Sequence, residues 1–101
     1  MFTVIRNYTG TPTLADVLVK HTHDIESLIR PITGFVAYYL IRTGQGAASI
    51  TVCDTQAGCD ESTRVATDWL RQTLPNLEVG TPQIISGEVV IKLASPTPTH
   101  V

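Results

Sequence analysis

The chain has 101 residues, 43% of them hydrophobic and 16% charged, with a formal net charge of -2. That length gives one domain with a single core, the composition excludes a disordered chain, and the slight acidity gives no electrostatic case for nucleic acid or an anionic membrane. The longest apolar runs are strand length, far below the ~20 residues of a membrane helix, and Met1-Phe2-Thr3-Val4-Ile5 lacks the basic region and cleavage site of a signal peptide, so a cytoplasmic protein is expected.

Phe2 to Tyr8, rich in β-branched and aromatic residues, reads as the first strand. Thr9-Gly10-Thr11-Pro12-Thr13 is a turn cluster, and Thr13 with Asp16 three residues on predicts a helix start. Leu14, Val17, Leu18, His21, Ile25, Leu28, Ile29 and Ile32 keep helical spacing, so one continuous helix is predicted up to Pro31 and Gly34. Phe35 to Thr43 is the second strand, apolar on both sides over much of its length. Gly44-Gln45-Gly46 predicts a tight turn with glycines at positive φ, leading into a third strand over Ala48 to Asp54.

A second helix is predicted from about Asp60 to Leu74, with Val65, Ala66, Trp69 and Leu70 on its apolar stripe. Gln83 to Leu93 reads as the last strand, with a bulge or a close backbone approach expected at Gly87. Residues 1–94 then form the single domain, and residues 95–101, with Pro96 and Pro98, a flexible tail.

The order strand, helix, strand, strand, helix, strand specifies an α+β, ferredoxin-like βαββαβ fold, a four-stranded antiparallel sheet with two helices on one face. The other face would carry about five large apolar side chains, whose burial is worth roughly 8–15 kcal/mol. That rivals the whole stability of a domain this size, so a homodimer through the helix-free sheet face is expected.

The strand order, the length, the Pro31-Ile32-Thr33-Gly34-Phe35 entry to the second strand and the Ala66-Thr67-Asp68-Trp69-Leu70 helix resemble the dimeric α+β barrel superfamily, in which the antibiotic-biosynthesis-monooxygenase-like proteins belong. The resemblance implies paired ferredoxin-like subunits, each with a pocket between sheet and helices. Asn7 looks like the asparagine with which cofactor-free members hold substrate or oxygen, and Trp69 is similar to a family tryptophan, although its place on an apolar stripe also suits a plain core role. The haem-degrading branch binds iron through a histidine in the second half of the chain. No histidine occurs here between residues 24 and 99, so no cofactor is expected.

Among the residues themselves, His21 interrupts an aliphatic stripe, so it is expected to point toward the sheet as a general base or as a hydrogen-bonded core histidine. His21 and His23 lie two apart on a helix, about 200° round its axis, and cannot share a metal. Tyr38 and Tyr39 face opposite sides of their strand, and either hydroxyl could orient a ligand or simply fill a core or interface. Arg6, Thr51, Cys53 and Glu88 are candidates for one shared sheet face, subject to strand register. Cys53 and Cys59 have neither redox nor zinc spacing, and Cys59, near a helix start, is the more reactive thiol expected.

Two functions fit. One is a protein binding a small aromatic molecule, as a cofactor-free monooxygenase or isomerase, with His21 and Asn7 catalytic and Tyr38, Tyr39, Thr51 and Trp69 lining the pocket. The other is a non-catalytic regulatory or assembly domain, similar to the effector-binding ACT-type dimers. An RNA-binding version is set aside, because Ser49-Ile50-Thr51-Val52-Cys53 has neither an aromatic platform nor basic residues.

Overall fold

The computed structural model describes residues 1–77 and 79–95. Seven elements follow in order: β1 Phe2–Thr9, α1 Leu14–Val19, α2 Thr22–Ile29, β2 Phe35–Thr43, β3 Gly46–Cys53, α3 Gln56–Thr73 and β4 Gln83–Glu88. The strands form one antiparallel sheet in the order β2-β3-β1-β4. This is the expected ferredoxin-like α+β topology, with the first helix divided in two. Period-two alternation sets the faces. Val4, Arg6 and Tyr8 of β1 are buried toward the helices, and opposite them on β3 stand Thr51, Ser49 and Ala47. Leu14, Ala15 and Leu18 of α1 close over Tyr8 and Ala47 to make the main core.

On the helix-free face, register aligns Tyr39, Ile50, Ile5 and Ile85 in one row across all four strands. Tyr39 and Ile85 are 59% and 60% exposed. Beyond β4 the backbone N–H of Val89 still donates to Met1 O at 2.9 Å, and Val90, Ile91 and Leu93 project apolar side chains into solvent.

Several local expectations are corrected. The first helix breaks at Lys20 and His21, where N–H groups bond three residues back (Lys20 to Val17 O, His21 to Leu18 O) and the Thr22 hydroxyl donates to Val19 O at 2.6 Å. Val19 and Thr22, both β-branched, and the competing threonine hydroxyl weaken the continuous helix that the apolar spacing favours. Thr13 makes no side-chain cap bond, and Asp16 pairs instead with Arg42 of β2. The second long helix begins four residues earlier than predicted, at Gln56, because the Thr55 hydroxyl accepts from Gly58 N–H at 3.1 Å.

Positive φ occurs among the described residues only at Gly10 and Gly34, so the Gly44-Gln45 turn does not draw on it. Gly46 serves a different need: a Cβ there would lie 2.3 Å from Tyr8 O. Gly87 pairs with Thr3 in unbroken register, and the irregularity lies between Phe35 and Ala37. β4 stops at Glu88 rather than Leu93. Residues 96–101 of the expected tail lie outside the described residues.

Candidate functional site

The site grows from Arg6. Alternation on β1 turns this residue inward between Val4 and Tyr8, and its side chain is 1% exposed. The guanidinium reaches four hydroxyls: Nε donates to Ser49 Oγ at 2.9 Å, Nη2 to Thr51 Oγ1 at 2.6 Å, and Nη1 to Ser62 Oγ at 3.0 Å and Thr63 Oγ1 at 2.9 Å. Ser49 and Thr51 come from β3, and Ser62 and Thr63 from the second turn of α3. The Ser62 hydroxyl donates onward to Cys59 O at 2.6 Å, which leaves its lone pairs turned to the arginine. Arg6 therefore fastens α3 to the sheet. No carboxylate bonds it among the described residues, and burial holds its pKa below the ordinary arginine value.

Beside this group, between sheet and helices, lies a partly open cavity of about 30 Å³. Arg6 and Ser49 form its polar floor, while Tyr8, Tyr38 and Trp69 with the aliphatic side chains around Leu18, Ile25 and Leu70 make the rest. Burial pushes both phenols above their ordinary range, against the pull of the Arg6 charge, so they are neutral donors at physiological pH. Leu18, Ile25, Ile29, Tyr38 and Leu40 are shared with a wider groove of about 570 Å³ between α2 and the edge strand β2. This space has room for about one water. These shared residues are the walls that a larger occupant would have to displace.

Three of the candidate residues meet here. Tyr38 and Trp69 line the cavity, and Thr51 lies beneath it, bonded to Arg6. The others lie elsewhere. Tyr39 projects from the helix-free face, as strand alternation dictates, and borders only the wider groove. Asn7 is on that same face, opposite Ala48 and Gln83, because its neighbours Arg6 and Tyr8 take the inward positions. His21 is at the helix break, partly exposed, with Nδ1 3.4 Å from Asp24 Oδ2 and its ring edge-on to Trp69 at 5.3 Å between centroids. It touches the outside of the tryptophan that walls the cavity and is not itself in the lining.

Register does set Arg6, Thr51, Cys53 and Glu88 on one face. Sequence reasoning missed Ser49, Ser62 and Thr63. A signal existed for Ser62, which stands four residues before Ala66 and so extends the buried stripe of α3 by one turn.

Cys59 is buried with Cys53 and Val4 beneath the start of α3, with its sulfur 4.0 Å from Thr51 O, so the exposure that a reactive thiol needs is missing. Burial pushes the Cys53 thiol up to about 11, with the neighbouring Cys59 adding to the shift. Raising the pH from 9 toward 11 ionises this thiol in the unfolded chain before the folded one, so the unfolded state binds fewer protons and stability falls across that window. Denaturant unfolding at stepped pH should show this decline, and Cys53→Ala should shallow it.

Among the described residues no group of three or more His, Cys, Asp or Glu gathers to hold a metal ion, and no helix is long and apolar enough to cross a membrane. No histidine lines the cavity to ligate a haem iron, since neither His21 nor His23 is among its walls.

No family model matches the chain, and no curated protein matches it in sequence. Solved structures match it in fold. The haem-degrader MhuD from Mycobacterium tuberculosis, with two haems bound in its active site, is 13% identical with a TM-score of 0.69, covering 93% of this chain and 100% of that one. A Nitrosomonas europaea protein of unknown function, NE2512, is 14% identical with a TM-score of 0.70, covering 95% of each chain. A monooxygenase from the gene ActVA-Orf6 of Streptomyces coelicolor, in complex with nanaomycin D, is 17% identical with a TM-score of 0.64, covering 93% of this chain and 90% of that one. At these identities the likeness is one of fold: the chain has the ferredoxin-like α+β fold of these structures.

Proposed function

We propose that this protein binds a small aromatic molecule in the space between its sheet and its helices, and that it does so as a homodimer joined through the helix-free sheet face. The observation that carries the binding reading is a partly open apolar cavity walled by Tyr8, Tyr38 and Trp69, with a buried cationic group in its floor. Ligand pockets have this make-up, mostly apolar with a few placed polar groups. Structures with the same fold that hold nanaomycin D or haem support the use of such a scaffold for small molecules. The apolar row across the open face supports the dimer.

The finer reading is a cofactor-free monooxygenase or isomerase. Its chemistry needs a proton acceptor or a substrate that arrives ionised. The cavity is lined by no carboxylate and no imidazole, so a reaction there starts from an ionised substrate. The same observation favours the second reading, a non-catalytic effector-binding protein, over any mechanism led by His21.

The chain's single tryptophan lies in the cavity wall, so its fluorescence reports occupancy directly. Aromatic compounds that bind should shift Trp69 emission in a saturable way. An Ala66→Leu substitution, which fills the cavity, should remove that response while costing about 1–3 kcal/mol of stability. Oxygen consumption with the compounds that bind then separates an oxygenase from a binder. A saturable response that survives intact in the Ala66→Leu protein would place the ligand elsewhere and sink the cavity reading.

A further inference from the structure

We infer that the cavity, widened into the adjoining groove with which it shares its walls, takes an aromatic anion, a molecule whose carboxylate or ionised hydroxyl sits against Arg6. The inference deepens the binding reading above and rests on it. Its starting point is where the charges are paired. Arg30, Arg42 and Arg64 are exposed and each holds a carboxylate: Glu26 for Arg30, Asp16 for Arg42, Glu61 and Asp68 for Arg64. Arg6 is buried and holds none among the described residues. Solvation alone would arrange matters the other way. An exposed ion pair contributes little, whereas an uncompensated buried charge is strongly unfavourable.

The four hydroxyls around Arg6 reduce that cost without cancelling the charge. They accept four of the five N–H groups of the guanidinium, so among the described residues one N–H of Nη2 is left over on a residue that forms part of the cavity wall. The groups facing Arg6 from every element packed on it are neutral hydroxyls, phenols and thiols: Tyr8 from β1, Tyr38 from β2, Ser49, Thr51 and Cys53 from β3, and Cys59, Ser62 and Thr63 from α3. An incoming anion therefore meets one fixed positive charge, no repelling carboxylate, and a low dielectric that strengthens their attraction. Tyr8, Tyr38 and Trp69 supply the aromatic surroundings for the rest of the molecule.

A purely architectural Arg6, one that only ties α3 to the sheet, makes the opposite forecast: the charge of the ligand would not matter. The test is a set of matched pairs, benzoate against benzamide and 2-naphthoate against 2-naphthamide, titrated at neutral pH. The resonance of the Trp69 indole N–H reports binding, with calorimetry as a second measure. The wild-type protein should bind each acid about 10- to 100-fold tighter than its amide. In Arg6→Met that ratio should fall to about one, with amide binding kept.

Because the ratio is first read in the wild-type protein, the test survives if the variant folds poorly. Loss of folding would also weaken acid and amide alike. Equal binding of acid and amide by the wild-type chain would overturn the anion assignment and leave the aromatic pocket standing. No binding by any of the four compounds would overturn both.

Discussion

A single Ile85→Asp substitution should convert the proposed homodimer to monomers while each subunit keeps its fold. Ile85 ends the row Tyr39, Ile50, Ile5, Ile85 on the helix-free face and is 60% exposed in the single chain, so the isolated subunit tolerates a carboxylate there. Ile5 and Ile50, in the two central strands, are half-buried by their own neighbours, and a charge at either would strain the subunit as well. In a two-fold dimer the substitution acts twice. Each copy forgoes roughly 1.5–3 kcal/mol of side-chain burial and must also desolvate a carboxylate, so the dissociation constant should rise at least about 100-fold. Sedimentation velocity at micromolar concentration reads the assembly, and circular dichroism reads the fold. A wild-type chain that sediments as a monomer would end the dimer proposal. The exposed Val90, Ile91 and Leu93 would then be left, with this row, as an uncovered apolar surface.

Gly46→Ala should be the most damaging of the glycine-to-alanine substitutions, lowering stability by about 3 kcal/mol or more. The added methyl would stand 2.3 Å from the carbonyl oxygen of Tyr8 and 3.4 Å from that of Thr11. Both are backbone atoms held by the sheet and by the start of the helical layer, and neither can swing aside as a side chain would. Strand separation would disturb the register that sets Arg6 opposite Ser49 and Tyr8 opposite Ala47, so the site would loosen with the fold. Gly44→Ala, two residues earlier, meets nothing within 4 Å and has no positive φ, so it should be neutral or stabilising by up to about 1 kcal/mol. For a domain of this size the first change should drop the melting temperature by some 12–24 °C. Equal melting temperatures for the two variants would refute the steric account.

Much of the architecture is legible in the residues. Strand and helix order follows from alternation and helical spacing, and the two prolines after the helical runs, Pro31 and Pro75, mark their ends correctly to within a few residues. The break in the first helix was hidden because the helical spacing continues through His21, the one polar member of the stripe. What divides the helix is a hydrogen bond from Thr22 to Val19 O, a local competition that spacing does not register. The site was legible in fragments. Tyr38, Thr51 and Trp69 lie at or beneath the cavity, whereas His21 and Asn7 lie outside it. Asn7 was singled out by its likeness to a family residue, and the single step between positions 6 and 7 is a whole face of the sheet.

Residue spacing sets the period of each element, and with it the fold class and the presence of a helix-free apolar face, since those properties depend on one segment at a time. The tertiary structure alone decided which polar groups meet. Arg6 finds Ser49 and Thr51 across 43 and 45 residues of chain and Ser62 and Thr63 across 56 and 57. Hydroxyls of this kind are unremarkable in their own segments. Only the strand register, and the seating of α3 on the sheet, turn them into the shell of a buried charge, because hydrogen bonds act over about 3 Å of space whatever the distance along the chain.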